Sequence, residues 1–431
     1  MTLKKPLVFP LIVLILTMLL MVGCGNEQKP QITPASSPAS TLAPELTPLP
    51  TRTPTRIVVT STPTPDAKSS AQNLEIVGHI GKEVADFAAP VATPDMYMTQ
   101  GLAWRVAVAG KYAYVLQGAD GPAGMFWGRL NVVDTSNPRA LVVVGAYKPD
   151  WITTDIAVIS HTAYLTDGQC EFGAAQCWGG LHILDVSKPS VPTQIGIYQL
   201  DDIQSENPIG LGRSWFASGV VVTNNLAYVA GGPYGLPEGE CGLRIINVAS
   251  SAKPKVIGKL YCKQDAGWSG QSIVVKGSFA YVAASEAGLR IVDISNSSAP
   301  IERGYLKEIG KAWNVAIEGH LAYVAADDAG LQIIDVSEPT APRKISSLKT
   351  PGHAVSVTVA DNYAYVAAAD AGLRVIDVSD PSKPSEIGFY NTAGLVYGIT
   401  LANGYIYVAD AEQGLFVMRW TLPRVTPPAM N

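Results

Sequence analysis

The stretch Tyr365-Val366-Ala367, followed after four residues by Gly372-Leu373-Arg374-Val375-Ile376-Asp377-Val378-Ser379, is one copy of a phrase that runs through this chain. Short apolar runs rich in β-branched residues and separated by Asp, Asn and Gly are typical of β-strands joined by tight turns. The last three intervals between its tyrosines are 42 residues each. A period near 40 residues that is built from such strands predicts a β-propeller. The repeated tyrosines are Tyr114, Tyr164, Tyr228, Tyr281, Tyr323, Tyr365 and Tyr407.

The repeat over residues 353–391 divides into four strands, which we designate a to d. They are predicted at 355–360, 363–368, 373–378 and 386–390. Six repeats are complete, whereas the seventh ends after its third strand, at 415–420, and Leu74–Ile80 matches a fourth strand. Because closure of the ring removes open sheet edges, we predict an all-β, seven-bladed propeller over residues 74–421, closed by this N-terminal strand.

An Asp-x-Ser-x-Pro element follows strand c in several repeats. An aspartate that accepts a backbone hydrogen bond two residues further on, with proline ending the strand, explains this pattern. We therefore assign these aspartates to turn structure and not to catalysis. They are Asp134, Asp185, Asp335 and Asp377, with Asp293 in a variant that has Asn296 after the serine.

The strand-c segments 373–377 (LRVID) and 331–335 (LQIID) resemble the LVIVD repeat, a family of extracytoplasmic and surface-associated bacterial proteins. The resemblance covers roughly residues 74–420, although Asn247 and Arg419 stand where the third and seventh repeats would have aspartate. It implies a propeller with a binding or interaction role. It implies no shared chemistry, since the blade motif and not a catalytic set defines the family.

The N-terminal region predicts export and lipid anchoring. Two lysines and the apolar run Leu7–Val22 make residues 1–23 typical of a secretory signal peptide. The run ends in Leu20-Met21-Val22-Gly23-Cys24, which resembles the lipobox of bacterial lipoproteins and implies that Cys24 carries lipid. The alternative is an uncleaved membrane anchor, but the run is shorter than the roughly 20 residues that a span requires. We expect an extracytoplasmic protein that is anchored to a bacterial membrane.

Two further segments are predicted to be disordered. Residues 24–73 are rich in Pro, Thr and Ser, bury too little apolar surface to offset their ordering entropy, and predict a stalk. Residues 422–431 predict a disordered tail. The net charge of −5, with no basic cluster, argues against nucleic acid as a partner and against a polybasic membrane patch.

Four cysteines besides Cys24 predict two disulfide bonds, which export permits. Cys170 and Cys177 flank one predicted hairpin loop, whereas Cys241 and Cys262 lie at facing ends of two antiparallel strands. The alternative is four free thiols or a metal site. Pairs on separate hairpins do not converge as a four-cysteine zinc site does.

Candidate ligand-binding residues cluster where strand a begins. Aromatic and polar residues recur nine, ten and thirteen positions before the repeat tyrosines. Flat aromatic faces beside Asp, Asn, Gln and Arg stack on sugars or anchor a peptide. The alternative is that the tryptophans wedge between blades. The candidates are Trp104, Trp151, Trp215, Trp268, Gln271, Trp313, Asn314 and Tyr397.

Carboxylates also recur in the turns between strands b and c. We assign them to turn formation ahead of a glycine. One acid per blade would be spread around the rim, too far apart for the roughly 6–8 oxygens that Ca²⁺ requires, so we predict no metal and no cofactor. These acids are Glu286, Asp328, Asp370 and Glu412, with Asp327 and Asp410 close by.

The remaining motifs favour a binding protein. The sequence contains no nucleophile elbow, phosphate loop or His-rich metal motif. The leading hypothesis is a membrane-anchored recognition module for a glycan or for a surface or envelope protein. A propeller hydrolase or lyase that uses Asp155, Arg105 and His353 is one alternative, and an envelope-assembly scaffold is another. Longer loops in the first three repeats, at 81–99, 118–128, 168–180, 200–214 and 231–241, mark the expected specialised side.

Overall fold

The computed structural model describes eight stretches of the chain, and every regular element in them is a β-strand. These stretches are residues 71–81, 102–120, 126–149, 152–170, 177–199, 214–234, 239–262 and 268–421. The strands form seven antiparallel sheets, one per blade, and the predicted all-β, seven-bladed propeller is confirmed. Among the described residues, no helix is long and apolar enough to cross a membrane.

The first fourteen strands comprise an N-terminal pair and blades one to three. The pair is β1 (Ala71–Gln72) and β2 (Leu74–Ile80). Blade one has β3 (Leu102–Ala109), β4 (Tyr112–Asp120), β5 (Phe126–Asp134) and β6 (Val142–Tyr147). Blade two has β7 (Thr153–Ile159), β8 (Thr162–Cys170), β9 (Cys177–Asp185) and β10 (Thr193–Gln199). Blade three has β11 (Ser214–Thr223), β12 (Leu226–Tyr234), β13 (Gly239–Asn247) and β14 (Lys255–Cys262).

Blades four to seven contain the remaining strands. Blade four has β15 (Ser272–Lys276), β16 (Phe279–Ala283), β17 (Leu289–Asp293) and β18 (Ile301–Leu306). Blade five has β19 (Asn314–Glu318), β20 (Leu321–Ala325), β21 (Leu331–Asp335) and β22 (Arg343–Leu348). Blade six has β23 (Ser356–Ala360), β24 (Tyr363–Ala367), β25 (Leu373–Asp377) and β26 (Ser385–Tyr390). Blade seven has β27 (Val396–Ala402), β28 (Tyr405–Asp410) and β29 (Gly414–Trp420).

The first strand of each blade is innermost, and these inner strands contact one another in ring order until β27 meets β3. Strands b and c carry the apolar core: in β20 all five residues are buried. Outer strands such as β10 are largely exposed. Apolar clusters lie between neighbouring sheets, as between blades four and five. In this geometry the turns between strands b and c share one face with the loops that lead into strand a, and we call it the loop face.

The predicted closure by the N-terminal strand is confirmed. β2 pairs with β29 from Leu74 opposite Trp420 to Ile80 opposite Leu415, and it forms the fourth strand of blade seven. β1 was not predicted: it pairs with β26 as a fifth strand on the outside of blade six. Between the two strands, Asn73 adopts a left-handed φ of 58° and donates its side-chain N–H to the carbonyl of Ile387 at 2.7 Å.

The assignment of the strand-c aspartates to capped turns is confirmed in every blade that has such a turn among the described residues. In each case the side-chain oxygen accepts the N–H two residues further on, for example from Ser337 to Asp335 at 3.0 Å. Asn247, the departure from the motif in blade three, accepts the N–H of Ala249 in the same way at 2.9 Å. The other caps are Asp134, Asp185, Asp293 and Asp377.

These capped turns also hold the blades together. Each outer strand carries a β-bulge. In five blades a glycine follows the bulge and lies against a carbonyl of the next blade's turn. A methyl group on Gly145 in blade one would overlap the carbonyl oxygen of Pro189 in blade two. Blade five has Ser346 at this position, and its hydroxyl donates to the carbonyl of Pro381 at 2.5 Å. The equivalent glycines are Gly78, Gly196, Gly258 and Gly304.

On the loop face, backbone bridges join consecutive blades. Ser285 in the turn of blade four exchanges two hydrogen bonds with Ala312, which precedes β19, at 2.9 and 3.0 Å. Asp327 and Ala354 form the same bridge between blades five and six. The turn residues in these bridges adopt left-handed φ values, for instance 52° at Asp327. This backbone conformation is strained for a residue other than glycine, and the bridge to the next blade maintains it.

We expect Gly145→Ala to lower the free energy of unfolding by about 1–3 kcal/mol, because its methyl group would force the backbone of blade two away from blade one. Urea unfolding monitored by tryptophan fluorescence measures this effect. Gly81→Ala is the control, since a methyl group there would only meet the ring of His79 at an ordinary 3.7 Å. Equal stability of the two variants would show that the blades can separate slightly at no cost.

The capped turns make the stability depend on acid. Hydrogen bonds from the Ser295 hydroxyl and N–H lower the pKa of Asp293 to about 2, and Ser337 and Arg343 do the same for Asp335. Their stabilisation is present above the unfolded pKa of about 3.9 and is lost as the pH falls toward 2. We expect the double variant Asp293→Asn, Asp335→Asn to lose less free energy of unfolding than the wild type between these two pH values. Urea unfolding at each pH measures the difference. Asp335→Ala, which also removes the cap, should be less stable at neutral pH. An unchanged acid dependence in the double variant would refute this account.

Candidate functional site

The candidate site is the ring of residues at the loop-face end of the inner strands, nine or ten positions before each repeat tyrosine. We call it the channel mouth. In blades one, two, three and seven the register of the inner strand shifts at this point, so the residue ten positions before the tyrosine occupies a β-bulge. Bulges re-aim side chains and are common beside functional sites. The bulged residues are Trp104, Thr154, Ser218 and Tyr397.

In blades four, five and six the equivalent residue lies directly before the inner strand. Its N–H donates to the last carbonyl of strand b, for example from Trp313 to Ala325 at 2.9 Å. Gln271 and Val355 make the same bond to Ala283 and Ala367. The backbone thus sets the direction of a side chain at the mouth by a β-bulge in four blades and by this hydrogen bond in the other three.

The next residue along forms polar links between blades. Arg105 in blade one lies with its Nε 3.6 Å from Oδ1 of Asp155 in blade two, and both side chains are about a quarter exposed (25% and 23%). Arg105 also donates from Nη1 to the carbonyl of Tyr397 in blade seven at 3.1 Å. Partial burial raises the pKa of Asp155, while the Arg105 charge and the N–H of Val220 oppose that rise.

Asp155 and Asn314 share a second, structural role. The N–H of Val220 in blade three donates to Oδ2 of Asp155 at 2.9 Å. Likewise the N–H of Val357 in blade six donates to Oδ1 of Asn314 at 3.0 Å, and the amide of Asn314 donates to the hydroxyl of Ser272 in blade four at 2.9 Å. Each side chain thus links neighbouring inner strands by hydrogen bonds and still lies with its polar atoms at the mouth.

Two of the predicted tryptophans support the alternative that they wedge between blades. Trp268 is 4% exposed, packs between blades three and four, and donates from Nε1 to Glu302 at 3.2 Å. The Arg290 guanidinium lies 5.8 Å from its ring. Trp104 is half-buried over the backbone of Gly118, against the cluster between blades one and two. These contacts occupy much of the aromatic surface that a ligand would need.

The other aromatic candidates are more open. Trp313, Gln271 and Tyr397 are half-buried at the mouth. The indole Nε1 of Trp313 is buried and has no hydrogen-bond partner among the described residues. Burial, followed by the charges of Glu412 and Asp410, raises the pKa of the Tyr397 hydroxyl, so it stays a neutral donor and acceptor.

Several predictions fall on positions that the structure does not describe. Trp151 lies outside the described residues, and Trp215 is described only in its backbone, opposite Pro233. The same holds for the cysteine side chains. In the backbone, Cys170 and Cys177 are direct cross-strand partners, whereas Cys262 lies opposite Gly239, two residues before Cys241. Both disulfide bonds therefore stay predictions, as do the lipid on Cys24 and the N-terminal segments.

His353 does not join the other two proposed catalytic residues. Its Nδ1 lies 2.8 Å from Oδ1 of Asp327 and 3.1 Å from Oδ1 of Asp328, at the junction of blades five and six. The Arg105–Asp155 pair instead spans blades one and two. The structure provides no constellation in which His353 acts on Asp155.

The acids of the b–c turns do more than shape turns, which was not predicted. Asp410 has the expected role, because its Oδ1 accepts the N–H groups of Glu412 and Gln413 at 3.1 and 2.9 Å. Glu286, however, forms an ion pair with Lys311 of the next blade at 3.2 Å, and Asp328 meets His353 in the equivalent way. The signal was present in the sequence: Lys311 and His353 both stand twelve residues before a repeat tyrosine.

A second polar network inside blade two was also missed. Nε2 of His182 lies 2.6 Å from Oδ2 of Asp167, and its Nδ1 lies 2.7 Å from Oε1 of Gln194. Tyr147 of blade one donates its hydroxyl to the same Gln194 oxygen at 2.7 Å. Both His182 and Asp167 are almost fully buried, at 2% and 1% side-chain exposure. The network ties strands b, c and d of blade two together around the buried pair of His182 and Asp167.

Fold and repeats together define the class of protein: a seven-bladed β-propeller built from a repeated blade motif. A family model for the LVIVD repeat matches more than half of the chain, and the chain belongs to the LVIVD-repeat family. The resemblance seen in strand c is thereby confirmed. No curated protein matches this sequence. The matched segments are residues 100–148, 174–200, 268–307, 309–350, 351–392 and 393–418.

We expect Asp155→Ala to lower the free energy of unfolding by about 1–3 kcal/mol, because it leaves the N–H of Val220 without its acceptor and Arg105 without its counter-charge. Asp155→Asn keeps an acceptor for that N–H and should recover part of the loss. Urea unfolding of both variants gives the comparison. If Asp155→Ala were as stable as the wild type, the carboxylate would have no structural role and would be free for a ligand.

Proposed function

We propose that this LVIVD-repeat propeller is an extracytoplasmic recognition module, anchored to a bacterial membrane through lipid on Cys24, that binds a glycan at the channel mouth. The family membership supports a repeat protein with a propeller scaffold and leaves the ligand open. Fold alone does not define function, so the proposal depends on the residues at the mouth.

One observation carries the proposal: partly exposed polar and aromatic side chains from several blades lie at one rim, where the inner strands begin. Arg105 and Asp155 supply a charged donor and acceptor, each about a quarter exposed. Gln271 and Asn314 supply amides, and Trp313 supplies an indole face, all half-buried. Sugars are bound by such a mixture, in which hydroxyl groups are hydrogen-bonded and the apolar ring face is stacked on an aromatic side chain.

The anchoring part of the proposal depends on the sequence. The signal-like residues 1–23, the lipobox-like motif before Cys24 and the Pro/Thr/Ser-rich residues 24–70 lie outside the described structure. A tether of that length and composition would hold the domain away from the membrane surface. Such a position suits recognition of wall or surface glycans.

We expect Trp313→Ala to weaken glycan binding at least tenfold, because a central aromatic contact commonly contributes about 2 kcal/mol or more. A glycan array with the full-length chain identifies the ligand, and calorimetry with that ligand measures the change. Tyr261→Ala is the control: Tyr261 is 63% exposed on the outer strand of blade three, away from the mouth. Binding that is insensitive to Trp313→Ala would contradict a site at the mouth. Turnover of the ligand that is abolished in Asp155→Asn would favour the hydrolase or lyase alternative.

A specific surface favours protein partners as a second candidate function, that of an envelope scaffold. The exposed large apolar side chains on the outer wall concentrate in three consecutive blades, on or beside their outer strands. Exposed apolar patches of this kind often mark protein interfaces. A protein partner whose binding is lost in Tyr261→Ala and kept in Trp313→Ala would support this function over the first. The side chains are Val191, Ile195, Ile197, Ile257, Tyr261, Ile301 and Tyr305.

A further inference from the structure

We propose that Asp327, Asp328 and His353 form a binding site for a divalent transition-metal ion of the Zn²⁺ class, on the loop face between blades five and six. The sequence pattern, with one acid in each turn and the acids spread around the rim, predicts no metal site. The structure instead brings two acids of one turn and a histidine of the next blade together. The inference does not depend on the proposed glycan site.

The distances suit a shared ion. The three potential ligand atoms all lie within 4.8 Å of one another. Nδ1 of His353 is 2.8 Å from Oδ1 of Asp327 and 3.1 Å from Oδ1 of Asp328. Two ligands that each lie about 2.1 Å from a metal, at tetrahedral or octahedral angles, are roughly 3.0–3.4 Å apart. The two nitrogen–oxygen distances therefore lie within a few tenths of an ångström of those around a shared ion.

The backbone holds the ligands in place independently of any ion. Asp327 and Ala354 exchange two backbone hydrogen bonds of 3.0 and 3.1 Å across the junction. Asp327 is one partner of this bridge, Asp328 follows it, and His353 precedes the other partner. The left-handed φ of 52° at Asp327 belongs to the same bridge. Ligands set by such rigid neighbours need little ordering when a metal binds.

This junction differs in charge from the equivalent junction between blades four and five. Between blades four and five, the corresponding residues are Ser285, Glu286 and Lys311, and the lysine ammonium neutralises the glutamate at 3.2 Å. Between blades five and six, histidine replaces lysine and a second carboxylate replaces serine. The cluster therefore has two carboxylates, which a divalent cation would balance at the place where the neighbouring junction holds an ammonium.

The ligand set selects the kind of metal. An imidazole nitrogen with two carboxylates suits Zn²⁺ and related ions, whereas Ca²⁺ requires about 6–8 oxygen ligands. Asp327 and His353 are mostly buried, at 14% and 27% exposure, and Asp328 is 85% exposed. One side of the site is thus open to solvent. Three protein ligands with an open position are also the arrangement in which zinc keeps a water or takes an external ligand.

The test is calorimetric titration of the full-length chain, first stripped with EDTA, with ZnCl₂ and separately with CaCl₂. We expect one saturable Zn²⁺ site that Ca²⁺ does not occupy, and at least tenfold weaker Zn²⁺ binding in His353→Ala and in Asp327→Asn. Asparagine tolerates the left-handed conformation of residue 327, so the second variant changes charge and not backbone. Glu286→Gln, at the position one junction earlier that is equivalent to Asp328, should bind Zn²⁺ as the wild type does.

Two outcomes would overturn the proposal. One is the absence of saturable Zn²⁺ binding, and the other is binding that persists in His353→Ala, which would place the ion elsewhere, for example on cysteine. Melting temperatures in EDTA show whether the variants stay folded before metal is added. The double variant Ser285→Asp, Lys311→His transplants the ligand set to the junction of blades four and five. If it folds, it should bind a second Zn²⁺, and a stoichiometry that remains at one would also count against the proposal.

Discussion

Close approach of one blade's backbone to the next is the constraint on which the rest of this structure depends. At the outer wall, a glycine after a bulge lies against the carbonyl of the neighbouring turn, as Gly145 does against Pro189. On the loop face, turn residues such as Ser285 exchange backbone hydrogen bonds with the next blade. Apolar clusters fill the space between these contacts. Because the two kinds of contact recur at successive junctions, small changes at each would add around the ring and prevent its closure.

At the channel mouth, some side chains both link neighbouring blades and belong to the proposed ligand site. Asp155 and Asn314 each accept an N–H from the following inner strand and still lie at the rim. Trp268 is committed to packing between blades, with Arg290 and Glu302 around it. Trp313, whose Nε1 has no partner among the described residues, is not committed in this way.

The blade count, the closing strand and the capped turns were predictable because each depends on local chemistry that repeats along the chain. Even Asn247, which departs from the motif, is explained by the same side-chain acceptor. The site was less predictable, since its contacts join residues of different repeats. Lys311 with Glu286 and His353 with Asp327 become partners only when adjacent blades are placed side by side. The burial of Trp268 could not be read from its position either, because a ligand face and a wedge share the same sequence signal.

The two-residue strand β1 has a mechanical consequence. It precedes β2 in the chain and pairs with blade six, whereas β2 closes blade seven. Tension applied through the N-terminal segment would load the few hydrogen bonds of Ala71, Gln72 and Asn73 before it reached the longer ladder between β2 and β29. β1 would then detach first from β26 and lengthen the unpaired N-terminal segment, while the pairing of β2 with β29 kept the ring closed.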